Sequence, residues 1–63
     1  MIISNIEKEY ELWLFDLDGK IDKVIVYPSK KQALKAIKEN EILYKQIYSC
    51  IQLYEVEREL YSN

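Results

Sequence analysis

Two apolar segments flank a polar turn in the first half of the chain. Tyr10–Leu17 is dense in aromatic and branched side chains, and Ile21–Tyr27 is a second such segment that ends at Pro28. This composition is typical of β-strands. Between them, Asp18-Gly19 favours a tight turn, because only glycine adopts the left-handed conformation without steric cost. The pattern therefore predicts an antiparallel β-hairpin.

A three-residue loop over residues 17–19 sets the predicted register by placing Phe15 opposite Ile21. One predicted face then carries Tyr10, Leu12, Leu14, Val24 and Val26. The other carries Trp13, Phe15, Ile21 and Ile25, with Glu11 and Lys23 among them. Half-exposed hairpins usually alternate apolar with polar residues. Since both faces are apolar, a single helix is expected to cover only one of them.

A helix is predicted to follow the hairpin. Ser29 precedes the first turn, and Gln32 stands three residues later, as in a capping box. An apolar stripe at helical spacing comes next, formed by Ala33, Leu34, Ala36 and Ile37. Asn40 is an acceptable C-terminal stop.

The last third of the chain supports two interpretations. Leu43, Ile47, Ile51 and Tyr54 recur at helical spacing, whereas the β-branched and aromatic content of Ile47–Val56 favours a strand. We prefer the strand. The predicted fold is therefore a single α+β domain over residues 1–63, a hairpin followed by one amphipathic helix and a third strand (ββαβ). The alternative is ββαα.

Composition removes several classes of chemistry. The chain has no histidine and one cysteine, Cys50, so it offers neither a zinc ligand set nor an internal disulfide nor a Cys/His pair. We expect no catalytic residue, no metal and no cofactor. No uncharged run approaches the roughly 20 apolar residues that a bilayer crossing needs. No secretory signal is recognised at the N-terminus, and we expect a cytosolic location.

The charges are segregated along the chain although the net charge is only −2. Acidic residues dominate both the first third and the C-terminal tail. Lysines dominate the middle, and four of them belong to the predicted helix: Lys30, Lys31, Lys35 and Lys38. A basic helix raises nucleic-acid binding as an alternative function. Because there is no accompanying arginine and the overall pI is about 5.0, a solvated lysine face is the preferred interpretation.

The turn sequence Leu14-Phe15-Asp16-Leu17-Asp18-Gly19 resembles the first motif of haloacid dehalogenase-type phosphatases. In that family, the residue matching Asp16 attacks phosphorus and the residue matching Asp18 is the general acid. Lys20 replaces the usual threonine, and the chain is too short for the family's remaining motifs. We therefore reject a phosphatase and interpret the segment as a hairpin turn.

A second resemblance concerns the order of elements and the turn Asp18-Gly19-Lys20. Hairpin, helix and final strand are similar in order to the small dimeric phage inhibitors of uracil-DNA glycosylase. That resemblance implies an acidic protein that binds an enzyme, and no contact residue can be transferred from it. Many isoleucines, lysines and tyrosines with few alanines also suggest an AT-rich genome, such as that of a phage or mobile element.

Together these features predict a small non-enzymatic interaction protein that binds and inhibits or modulates a host or cellular protein. The predicted interface is Trp13, Phe15, Ile21, Ile25 and Tyr27. The predicted electrostatic steering groups are Glu7, Glu9, Glu11, Glu55, Glu57 and Glu59. A homodimer is expected, since self-association enlarges the core of so short a chain. A self-assembling structural or regulatory protein is a further alternative.

Overall fold

A computed structural model describes residues 2–62 of the chain, and side chains are described for residues 7–57. The elements follow in the order β1 (Ile2–Phe15), β2 (Ile21–Tyr27), α1 (Lys30–Glu39), α2 (Glu41–Ile47) and β3 (Cys50–Ser62). The three strands form one antiparallel sheet in the order β2-β1-β3. The predicted α+β class is confirmed.

Strand β1 is the centre of the sheet and is much longer than predicted. It pairs with β3 from Ile2 to Phe15, whereas β2 pairs only with its second half, from Tyr10 onward. Residues 2–9 of β1 and the end of β3 therefore form a two-stranded ribbon that projects beyond β2. Isolated two-stranded ribbons are marginally stable in water, so this projection is the least supported part of the sheet.

The turn between β1 and β2 is the hairpin turn that the sequence predicts. The Asp16 carboxylate oxygen Oδ1 accepts hydrogen bonds from the backbone N–H groups of Asp18 and Lys20, each at 2.9 Å. Gly19 has a φ of 82°, which confirms its left-handed conformation. The Asp16 side chain therefore acts as the organising acceptor of a turn.

We expect Gly19→Ala to destabilise the folded chain by about 1–2 kcal/mol, because the left-handed conformation is higher in free energy by that amount for a residue with a Cβ. No atom lies within 4 Å of where a Cβ would stand, so the effect isolates backbone strain from steric clash. Urea unfolding followed by Trp13 fluorescence measures it. An unchanged midpoint would contradict the assigned turn.

The predicted hairpin register is wrong beyond its first pair. Phe15 lies opposite Ile21 as predicted, but the register shifts there, and Leu14 lies opposite Lys23 instead of Asp22. Asp22 is the extra residue of a β-bulge. Because side chains alternate between faces along a strand, one inserted residue moves every later β2 side chain to the other face.

Helix α1 forms where predicted. The Ser29 hydroxyl oxygen accepts a hydrogen bond from the Gln32 backbone N–H at 3.2 Å, which satisfies one of the free donors of the first turn. Ala33 is fully buried against the sheet. At the other end, the Asn40 side-chain Nδ2 donates to the Ala36 carbonyl at 2.8 Å. Asn40 thereby ends α1 directly before α2 starts at Glu41.

The preferred third strand is confirmed, and a short second helix also forms ahead of it. Strand β3 begins at Cys50, three residues later than the predicted start at Ile47, and it runs beyond Val56 to Ser62. The aliphatic residues of helical spacing before position 48 belong to α2. The helical spacing thus corresponds to α2, and the β-branched and aromatic content corresponds to β3, which follows it.

The chain is extended and has a small interior. Among the side chains of residues 7–57, the buried ones are Leu12, Leu14 and Ala33. The radius of gyration is 14.7 Å, against about 10.6 Å for a compact chain of this length. The accessible surface is 5074 Å², about 800 Å² more than the scaling law gives for this mass.

Candidate functional site

The two faces of the sheet have different surroundings. Across a strand pair, opposite residues share a face, so the register assigns each side chain. The covered face includes Leu12 and Leu14, which are 0% and 1% exposed beneath α1. The open face, on the other side, is covered by no element within residues 2–62. It carries Trp13, Phe15, Ile21, Val24, Val26, Tyr54 and Val56.

The structure places three of the five predicted interface residues on the open face. Trp13, Phe15 and Ile21 lie there, whereas Ile25 and Tyr27 lie on the covered face, partly buried. The bulge at Asp22 is the reason that these two residues lie on the opposite face from the one predicted. It brings Val24 and Val26, which the predicted register assigns to the other face, beside the tryptophan instead. The consecutive polar residues Asp22-Lys23 interrupt the alternation and are the sequence signal that locates the bulge.

Trp13 is the centre of an aromatic cluster on the open face. Its ring meets Tyr54 edge-on at a centroid distance of 5.1 Å and lies 6.4 Å from Phe15. The Tyr54 hydroxyl donates to Gln52 Oε1 at 2.5 Å. These contacts hold three rings in defined positions, with Trp13 and Phe15 partly buried and Tyr54 exposed. Val24 and Tyr54, on the two sides of the tryptophan, are 42% and 41% exposed.

The six predicted steering acids are divided between the two faces. Glu7, Glu9 and Glu11 lie in a row along β1 on the open face, next to the aromatic cluster. The carboxylate of Glu11 accepts a hydrogen bond from Trp13 Nε1 at 3.1 Å, which links the acidic row to the aromatic cluster. Glu55 and Glu57 lie on the covered face, and the side chain of Glu59 is outside the described residues.

At the open-face positions of the three strands within residues 7–57 there is no lysine or arginine. Just beyond these residues, Arg58 of β3 lies opposite Glu7 in the register. Within residues 7–57, the open face therefore combines exposed apolar side chains with three carboxylates.

Two tyrosine hydroxyls bond to acidic side chains. The Tyr10 hydroxyl donates to Glu55 Oε1 at 3.0 Å, and the Tyr48 hydroxyl donates to Asp22 Oδ2 at 3.1 Å. The bond to Glu55 raises the pKa of Tyr10, and desolvation followed by the bond to Asp22 raises the pKa of Tyr48. Both bonds need the neutral phenol, so their contribution is present below pH 10 and lost at higher pH.

The lysines that suggested nucleic-acid binding lie on the helical layer, behind the open face. Lys30, Lys31, Lys35 and Lys38 are exposed on α1. Lys35 lies 3.9 Å from Glu39 one turn later, which partly neutralises the row. Nucleic-acid binding stays a prediction that the geometry does not strengthen.

A second set of exposed aliphatic side chains lies on the helices, and the sequence interpretation did not single it out. Its members are Leu34, Ile42, Leu43 and Ile47. No residue of α2 is buried, because this helix touches the sheet only lightly. The set has no aromatic centre comparable to Trp13. A binding experiment must therefore distinguish this set from the open face.

Among the described residues, no group of three or more His, Cys, Asp and Glu side chains could hold a metal ion. The exposed Cys50 lies at the edge of the open face, beside Gln52. No helix in this part of the chain has the length and apolar character needed to cross a bilayer. Comparison with known proteins found no matching family model, no similar curated protein and no similar solved structure.

Proposed function

We propose that this chain is a non-enzymatic protein-interaction module that docks its open face on a partner protein. The partner presents an apolar patch flanked by lysine or arginine side chains. Docking covers that patch and thereby inhibits or modulates the partner. The expectation that the partner belongs to a host cell rests on composition alone.

One observation carries the proposal: the sheet has a large aromatic and aliphatic face that the helices leave uncovered. Val24, Val26 and Ile21 are 42%, 53% and 52% exposed around Trp13 and Phe15. Contiguous apolar patches of this kind mark interaction sites in soluble proteins. Tryptophan and tyrosine are the residues that most often dominate interface energies.

The carboxylates of the open face support a basic partner surface. Glu7, Glu9 and Glu11 extend the open face along β1. Opposite charges accelerate encounter and fix orientation, whereas an acidic partner would be repelled. The favoured partner surface is therefore basic around an apolar centre.

A peptide library displayed on phage and selected on the purified chain tests the proposal. We expect the selected peptides to combine aromatic or aliphatic residues with lysine or arginine, and to bind more weakly as salt increases. Val24→Glu should weaken their binding at least about tenfold. The matched control is Leu43→Glu, at a residue 50% exposed on α2, and it should leave binding unchanged.

Two outcomes would overturn the proposal. Peptides without basic residues would contradict the charge argument. Binding that survives Val24→Glu but is lost in Leu43→Glu would move the site to the helical layer. Neither substitution is at a buried position, so both variants are expected to fold, which circular dichroism checks.

A further inference from the structure

We propose that the free edge of β1 pairs with the same edge of a second copy, so that two chains form one continuous antiparallel sheet. This surface is distinct from the open face. It comprises backbone groups of β1 ahead of Tyr10, on the side where β2 does not reach. The proposal gives the expected homodimer a specific interface.

The step at the end of β2 defines the edge. β2 stops opposite Tyr10, and Pro28 then turns the chain toward α1. β1 continues to Ile2, paired with β3 on one side. A notch of about 290 Å³ opens at the step, lined by Glu7, Lys8, Glu9, Val26 and Pro28. An added strand that enters this notch would continue the line of β2.

Hydrogen bonds at the hairpin end establish which backbone groups point to the free edge. The Asp16 N–H donates to Lys20 on the β2 side at 2.7 Å, and the Phe15 carbonyl accepts from the Ser49 N–H on the β3 side at 3.0 Å. Successive residues of a strand direct their peptide groups to opposite edges. Even-numbered residues of β1 thus point toward β2.

The β1–β3 register has no shift between Asn5 and Phe15, so this alternation extends back along the strand. Past the end of β2, the peptide groups of Lys8 and Ile6 therefore point to the side that β2 has left. Edges of this kind are templates for strand addition unless charges or prolines protect them. Next to the end of β2 the free edge carries the charged residues Glu7, Lys8 and Glu9, whereas the segment ahead of Glu7 contains neither a charged side chain nor a proline, and three of its residues are isoleucines.

A second copy fits this edge better than an unrelated strand. If a two-fold axis relates the copies, the free segment of each β1 lies beside the free segment of the other, in the space beyond the end of β2. Each two-stranded ribbon then gains a third strand, and sheets of three or more strands can be independently stable.

The decisive variant is Lys8→Pro. Proline removes the N–H that points to the free edge, and proline is tolerated on an edge strand when that N–H is not bonded within the subunit. The control is Lys8→Ala, which keeps the N–H but removes the exposed ion pair between Lys8 Nζ and Glu55, at 3.6 Å. Sedimentation equilibrium should show a dimer for the parent chain and for Lys8→Ala. Lys8→Pro should raise the dissociation constant at least about tenfold.

Spin labels provide a measurement that does not depend on proline. In a Cys50→Ser background, labels placed at Lys8→Cys of both copies should lie within about 30 Å of each other, given a strand rise of about 3.4 Å per residue. Labels at Lys20→Cys, in the distant turn, should be at least about 50 Å apart.

A monomer at 100 micromolar would overturn the proposal, as would a dimer that Lys8→Pro leaves unchanged. A dimer that dissociates in Val24→Glu but not in Lys8→Pro would show that copies pack through their open faces. The proposed function is tested separately, because Val24→Glu alters peptide binding without touching the β1 edge. Circular dichroism checks whether Lys8→Pro is folded. If this variant is unfolded, the distances between the spin labels test the edge pairing instead.

Discussion

Leu12→Ala should bring the chain close to unfolding. Leu12 is 0% exposed at the centre of β1 and is one of the three buried side chains of residues 7–57. Removing a fully buried leucine costs about 2.7–5 kcal/mol, through lost burial and the cavity left behind. A domain of this length is expected to have a total stability of only about 3–9 kcal/mol. One substitution therefore removes a large share of it.

Urea unfolding measured by circular dichroism checks this expectation. With an m-value near 1 kcal/mol per molar, the midpoint should fall by about 2 M or more. Leu17→Ala is the matched control, because Leu17 is 72% exposed in the turn and its loss should change stability by less than about 0.5 kcal/mol. Samples must be compared at one protein concentration, since dimerisation would make stability depend on it. Equal midpoints for the two variants would contradict the assigned core.

Trp13→Ala should weaken binding of the selected peptides by about 30-fold or more. The ring is central to the open face and is held by Tyr54 and Phe15, so it offers a large apolar area that is already ordered. Tryptophans in such positions cost at least about 2 kcal/mol when truncated, which corresponds to about 30-fold in affinity. Titration of a fluorescent peptide measures the change.

Trp13→Phe separates the contribution of ring area from that of the indole N–H. Trp13→Phe keeps an aromatic ring but removes the hydrogen bond to Glu11. It should reduce peptide affinity less than Trp13→Ala does. Both variants should keep the circular dichroism spectrum of the parent chain, because Trp13 is not part of the buried core. A less than threefold loss for Trp13→Ala in a folded protein would mean that the open face is not the binding surface.

Local sequence patterns predicted the short-range structure well. The Gly19 turn, the Ser29 cap and the extent of α1 depend on contacts within a few residues, and each is found as predicted. The same holds for β2, bounded by the turn and by Pro28. These features follow from backbone conformation and local hydrogen bonds, which neighbouring residues decide.

The candidate site was predicted only in part. The number of apolar residues predicted that one face would stay uncovered, and Trp13 was correctly placed on that face. Ile25 and Tyr27 were wrong because a single bulged residue, Asp22, reverses the faces of the strand that follows. The consecutive pair Asp22-Lys23 carried that information, since strict alternation would have placed Asp22 against the core beside Leu14.

The amino-acid sequence by itself determined that this protein is a small α+β unit with more apolar strand surface than one helix can cover. Only the tertiary structure decided which residues share the open face and how far β1 extends. The first half of β1, before Tyr10, has weak strand character of its own and becomes a strand through pairing with the distant end of β3. The paired residues are 47 to 60 positions apart, so their hydrogen bonds are long-range and no local pattern records them.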